Sequence, residues 1–243
     1  MITFMYYASF IILIPGLLFS IFAQIWIKCA YSKYSKKQAR SGVTAENVSR
    51  ELLDKNECFG VSIAHISGDL TDNYNPQTDV LSLSDSVYGS SSIAAVAVAA
   101  HECGHACQKH QGSFLLRLRS ILVPITNIGS RLAVPLAVVG VVLELIAGGA
   151  SSTSIGTYVV CFSIILYSLS TLFALETLPV EFNASHRALA MLKNEGVLER
   201  DEISGARKVL TAAAMTYVAA LVVSFLYFLR FLIILSSVRG RKK

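Results

Sequence analysis

The chain alternates between long stretches with no charge and shorter stretches where polar residues recur at helix or strand spacing. Residues 1–27 carry no charged side chain, and neither do 151–175 or 209–229. Each run is long enough to cross a hydrocarbon core, which takes about 20 apolar residues. Residues 132–150 form a weaker fourth run, because Glu144 interrupts it. Between the runs the period changes. Residues 41–56 (SGVTAENVSRELLDKN) predict a short helix, with Thr44 as N-cap, Glu46 and Asn47 in the first turn, and Val48, Leu52 and Leu53 as its apolar stripe. Residues 61–70 (VSIAHISGDL) and 80–88 (VLSLSDSVY) tend towards alternation around a turn cluster with Asn75-Pro76, and predict a small β-hairpin. Ser90, Ser91 and Ser92 offer N-caps to the helix that follows, IAAVAVAAHECGHACQKHQ. Residues 115–131 are mixed, and with Pro124 and Pro135 breaking the pattern they predict an interfacial segment leading into the second span. Residues 148–153 (GGASST) predict a tight loop between two spans, Pro179 a fresh helix start just before Glu181, and Val209 the approximate start of the last span.

Composition agrees with a membrane protein. Only 15% of the 243 residues are charged and 53% are hydrophobic, where soluble domains carry about 25% charge. The first run lacks a positively charged start and is too long for the apolar core of a signal peptide, so it reads as a retained anchor. Lys28, Lys33, Lys36, Lys37 and Arg40 follow it without an acidic residue among them, which assigns residues 28–40 to the cytoplasmic side. Arg187, Lys193 and Arg200 assign the segment after the 132–175 hairpin to the same side. Four crossings then put the terminal RGRKK outside, against the rule; either the last segment returns along the interface near Arg230, or those charges are overruled. The net charge of +5 is therefore mostly a topology signal, and no basic patch interleaved with aromatics argues for nucleic acid. Five cysteines at 29, 58, 103, 107 and 161, odd in number and without paired spacing, fit a reducing compartment and packing roles.

The chemistry is concentrated in His101-Glu102-Cys103-Gly104-His105. Residues four apart share a helix face, so His101 and His105 present two imidazoles to one point. Glu102 can reach a water held there, as in the H-E-x-x-H arrangement of two zinc ligands and a general base. The residues just before it (94–100) are small, which allows close packing around a buried polar cluster. Zinc in such a site needs a third protein ligand and leaves a fourth position for water. Candidates are Glu144, Glu176, Glu181, His186 and Asp201. Glu144 lies in the outer half of a span and Asp201 in a solvated charged stretch, whereas Glu181 is close to the cytoplasmic surface, with Glu176 the next choice. Ser185, one turn from Glu181, can support the site, and His186 or Arg187 can steady an oxyanion. The backbone around Leu81 and Leu83 is expected to hold an extended substrate by strand addition. Asp69, Asp72 and Tyr74 are read as turn formers, and Cys103 and Cys107 as core.

Four segments in order, SGVTAENVSRELL, LTDNYNPQTDVLSLSDSVYGSSSIAAVAVAAHECGHACQ, LPVEFNASHRAL and GARKVLTAAAMTYVAA, resemble the neutral zinc metallopeptidases of the YugP-like type, small bacterial membrane proteins. The chain is also distantly similar to the HtpX and CAAX-type membrane zinc proteases. In those, a transmembrane hairpin separates the two His ligands from a Glu ligand. The resemblance thereby accounts for the 76-residue gap between His105 and Glu181. Where those relatives usually have Asp four residues after the ligand Glu this chain has Ser185, and where its nearer relatives often have Asp it has Asn183, so the support of the ligands is less charged here.

The expected protein is a mainly α-helical integral membrane protein, with about four transmembrane helices and a small zincin-like α+β domain on the cytoplasmic side. Residues 1–28 are the N-terminal anchor and 29–120 the catalytic domain, its motif helix at about 91–110. Residues 121–178 are a transmembrane hairpin, 179–208 the third-ligand helix and cytoplasmic segment, and 209–243 the last transmembrane segment and basic tail. The resemblance implies a gluzincin-like metalloendopeptidase in the bacterial cytoplasmic membrane. It would hold one Zn2+ per chain and hydrolyse peptide bonds near the membrane through zinc-activated water, with Glu102 as base. The alternative is a non-catalytic zinc-containing scaffold or chaperone-like partner, whose structural site would have four protein ligands. A metal transporter is disfavoured, since Glu144, Asn127 and Arg131 do not line a path across the spans. The lipid bilayer and peptide or protein substrates are the expected partners, and self-association into a homo-oligomer is left open.

Overall fold

The structure, a computed structural model, describes residues 10–146 and 154–239. The loop expected at 148–153 and all but Arg239 of the basic tail lie outside the described residues. The elements run α1 (Ile14–Ser35), α2 (Ala45–Lys55), β1 (Ser62–Ile66), β2 (Asn73–Asn75), β3 (Val80–Ser84), α3 (Ile93–His110), α4 (Phe114–Ile146), α5 (Ile155–Asn194) and α6 (Arg200–Arg239). Among the described residues four helices are long and apolar enough to cross a membrane, over Ile14–Ser35, Phe114–Glu144, Ile155–Asn194 and Arg200–Ile233. Leu18, Phe22, Ile128, Val138, Phe162 and Ile165 on these helices are exposed. Each such side chain left in water forgoes about 1.5–3 kcal/mol, so these surfaces call for an apolar surrounding.

The chain forms two compact units. One contains the chain up to Phe22, Ile121–Thr177 and the chain from Tyr217 on. Within it α4 and α5 meet through glycines: a Cβ on Gly156 would lie 2.6 Å from the carbonyl oxygen of Gly140. Small residues allow apolar helices this close an approach. Thr171 and Ser224 hydroxyls, 2.8 Å apart, join α5 to α6. Glu144 accepts from the hydroxyls of Ser154 and Thr157 across the α4–α5 turn.

The second unit, Ala23–Ser120 with Leu178–Thr216, holds the sheet, α2 and α3. Its sheet differs from the expected hairpin. The strand order is β1-β3-β2, with β1 parallel to β3 (Ser62 opposite Val80) and β2 antiparallel to it (Tyr74 opposite Leu81). The stretch read as a turn cluster contains its own strand. A tight turn ending at Asp79, in the left-handed region at φ 56°, folds β2 back on β3. That leaves β1 only the far side of β3, in the parallel sense. Asp72 locks the arrangement, accepting from the backbone N–H of Ser84 at 2.8 Å and from its hydroxyl at 2.9 Å. Leu81 and Leu83 are completely buried with Val48, Leu52 and Leu53 of α2 and the alanines of α3.

Helix boundaries also differ from expectation. The residues from Phe114 to Ile146 are one continuous helix, and Pro124 and Pro135 do not interrupt it. The helix carrying Glu181 does not start after Pro179; it runs through that proline from Ile155. In apolar helices the group a proline frees is re-satisfied by neighbours and by local adjustment, so proline does not end them. The last helix starts at Arg200, so the stretch from about Val209 is the later part of a longer helix, with Asp201 and Glu202 in its first turn, where acidic residues favour the positive end of the helix dipole.

Candidate metal centre

The motif helix is set from its start. Ser92 stands at the N-cap of α3 and its hydroxyl accepts from the Ala95 N–H at 3.2 Å. From there the 3.6-residue period turns His101 and His105 to one side, their rings 4.8 Å apart and nearly perpendicular (83°). Glu181 comes from α5. Its Oε2 lies 3.1 Å from His101 Nε2 and 3.6 Å from His105 Nε2. One donor atom from each of the three residues falls within 4.8 Å of the others. Two imidazole nitrogens and a carboxylate oxygen are the donor types zinc takes, and this spacing suits a single ion. Glu181 is only 1% exposed, so a charge on it must be paired, and the two imidazoles and Arg119 are the groups beside it.

The two helices can approach this closely because position 104 has no side chain. A Cβ on Gly104 would lie 2.6 Å from the carbonyl oxygen of Ala184 and 3.2 Å from its Cα. Those are backbone atoms of α5, between Glu181 and Ser185, and they have no rotamer by which to yield.

Each donor is supported by further contacts. Ser185 Oγ is 3.1 Å from His101 Nδ1, the contact expected from its place one turn beyond Glu181. Gln108 Oε1 is 2.9 Å from His105 Nδ1, and Gln108 Nε2 donates to the Val180 carbonyl (2.8 Å) and to Asn183 Oδ1 (3.0 Å). Arg119 Nη1 lies 2.5 Å from Glu181 Oε1, an ion pair that lacks hydrogen-bond alignment. Arg187, a candidate oxyanion partner, is held by two side chains beside the cluster. It donates from Nε to Asn183 Oδ1 at 2.7 Å and from Nη1 to Gln111 Oε1 at 2.6 Å. His186 is exposed on α5 and belongs to none of these contacts.

Glu102 sits beside the cluster without joining it. It is buried, and desolvation pushes its carboxyl up to about 7; the neighbouring Glu181 and Asp72 charges add to this, while His101 opposes it. A carboxyl so placed exchanges its proton near neutral pH.

The other candidates separate cleanly. Asp201 pairs with Arg40 at 2.7 Å, and Glu144 is taken by Ser154 and Thr157. Of the acidic residues weighed as a third ligand, Glu181 is the one in the cluster. Cys103 donates to the Ser49 carbonyl, and Cys107 lies 4.0 Å from Cys58. Burial raises these thiols, Cys107 up to about 12, so they pack as neutral groups. Leu81 and Leu83, expected to hold substrate, lie on the middle strand, which β1 pairs along its whole length and β2 over Val80–Ser82, and their side chains are core. The edges left open belong to β1 and β2, and β2 packs against α3.

Gln108, Arg119 and Gly104 were not expected from the sequence. Gln108 carried a usable signal, since three residues after His105 is a neighbouring position on the helix face. Nothing in the sequence linked Arg119 to Glu181.

Comparison with known proteins agrees with this chemistry. A family model described as "Putative neutral zinc metallopeptidase" matches residues 9–236. The chain is 41% identical over 221 residues to the "Putative membrane protease YugP" of Bacillus subtilis (strain 168), covering 91% of this chain and 93% of that protein. No solved structure matches the chain.

Proposed function

The chain belongs to the putative neutral zinc metallopeptidase family, and from that premise we propose that it is a membrane zinc endopeptidase, with His101, His105 and Glu181 holding one zinc ion and Glu102 acting as general base. The observation that carries the reading is the convergence of two imidazoles and one buried carboxylate within 4.8 Å, beside a second carboxyl that burial pushes up to about 7. When bound, zinc supplies Lewis-acid activation of water and of the scissile carbonyl. The remaining work falls to side chains on the chain itself. Glu102 takes a proton from the attacking water and delivers it to the leaving amine, for which a carboxyl near neutral suits both directions. Ser185 holds the His101 ring from behind, and Arg187 steadies Asn183. An extended peptide would add to the open edge of β2, which flanks the motif helix, in place of the internal strand first expected.

The long apolar helices and the basic segment at residues 28–40 support a multi-pass protein of the bacterial cytoplasmic membrane, with the site on the cytoplasmic side. Substrates would then be peptide segments at that surface. A structural zinc site in a non-catalytic scaffold would use four protein ligands. The cluster among the described residues has three, and exposed His186 does not complete it. The test is metal content and cleavage on the purified full chain. Zinc at about one per chain should be lost in His101→Ala and Glu181→Ala. If Glu181→Ala keeps full zinc and activity, the ligand assignment is wrong.

A further inference from the structure

We propose that Gln108 is a positioning residue of this centre: its side-chain amide, anchored on the Val180 carbonyl, fixes the proton of His105 on Nδ1 and so leaves Nε2 as the metal-facing lone pair. The inference rests on the zinc reading above and concerns a residue outside the H-E-x-x-H motif.

The argument follows donors and acceptors. Gln108 is 2% exposed, so its amide must find partners inside the protein. On one side stand two groups whose roles are fixed. The Val180 carbonyl can only accept. Asn183 accepts from Arg187 Nε, which can only donate, so the Asn183 atom at this junction is its oxygen. The Gln108 nitrogen must therefore face both, at 2.8 and 3.0 Å. Reversing the amide would set its oxygen against two acceptors. With the nitrogen placed, Oε1 is the atom that meets His105 Nδ1 at 2.9 Å, and an amide oxygen only accepts. Nδ1 must donate, and the neutral ring keeps its lone pair on Nε2, the atom 3.6 Å from Glu181 Oε2. Because Val180 immediately precedes Glu181, the same amide also ties the His105 ring to the backbone that carries the third donor. Carboxylates commonly do this work behind a ligating histidine. Here an uncharged amide does it, so the direction of the bond is enforced by anchors and not by charge.

The test uses the full chain in detergent, with zinc affinity read by competition against a chelating dye and folding followed by thermal melting. Gln108→Leu should weaken zinc binding about 10–100-fold, the usual loss for such a partner. Gln108→Glu, which sets a carboxyl oxygen against the two acceptors that anchor the amide, should not restore it. Parent affinity in either variant overturns the proposal. Should either variant fail to fold, the parent decides: in 15N-histidine-labelled, zinc-loaded protein, His105 should show a protonated Nδ1 and a metal-bound Nε2. The reverse assignment overturns the proposal while leaving the zinc reading intact. A parent that binds no zinc overturns both.

Discussion

Replacing Gly104 by alanine probes how the site is assembled without touching a donor. The added methyl would lie 2.6 Å from the Ala184 oxygen, about 0.8 Å inside the 3.4 Å at which ordinary contact begins. The obstacle is helix backbone, so α5 must move away from α3 by roughly that amount. Glu181 and Ser185 flank Ala184 and would move with it. Their 3.1 Å contacts to His101 would lengthen to about 3.9 Å, beyond hydrogen-bond range. Overpacking of this kind costs about 1–3 kcal/mol, and alanine returns about 1 kcal/mol of helix propensity, for a net loss of about 0–2 kcal/mol. The site should suffer more than the fold, because a 1 Å misplacement can cost ~100-fold in rate. We expect a melting temperature lowered by a few degrees, zinc affinity down at least tenfold, and cleavage down about 100-fold. The assays are thermal melting, dye competition for zinc, and hydrolysis of a quenched peptide. An unobstructed glycine would behave oppositely, with Gly104→Ala raising stability and leaving zinc affinity unchanged. That result would refute the close approach.

Three other outcomes can be checked with the same preparations. Burial raises Glu102 to about 7, so the base-competent carboxylate is lost as pH falls through that value; a bound dication acts the other way. The acid limb of kcat/KM should therefore have its midpoint at or below about 7, and a midpoint above 8 would contradict the assignment. Ser92→Ala removes the N-cap bond of α3 and should cost about 1 kcal/mol in denaturant melts while leaving zinc affinity unchanged; a drop in affinity would mean that the helix start, not the α3–α5 contact, sets the site. Arg119→Met removes a cation from buried Glu181 and should lower the melting temperature of chelator-treated protein more than that of the zinc-loaded protein. Equal shifts would rule out a role for Arg119 at the donor.

What could be read from the sequence was local. The apolar runs, the serine cap and the spacing of His101, Glu102 and His105 are written within one or two helical turns, and each recurs in the structure. Glu181 could be singled out among several acids because its neighbourhood returns to the basic side of the chain. What was missed depends on contacts across long separations. Reading β1 and β3 as a hairpin treated sequence neighbours as partners, whereas the short strand Asn73–Asn75 takes the antiparallel edge first. Pro179 marks a helix start only by the rule for soluble helices, and in this apolar helix the chain runs through it. Gly104 looked like a filler in the motif; its role follows from an α5 backbone 80 residues further on. Arg119 seemed to be an interfacial charge until Glu181 was placed against it.

The central claim is that this centre binds zinc through His101, His105 and Glu181 and uses Glu102 only to move a proton. Paired measurement of zinc content and peptide cleavage on purified Glu102→Gln, beside the parent, tests it most directly. The account predicts about one zinc per chain in both proteins, with cleavage in the parent alone. Cleavage at the parent rate by Glu102→Gln, or a parent that cleaves without zinc, would contradict it.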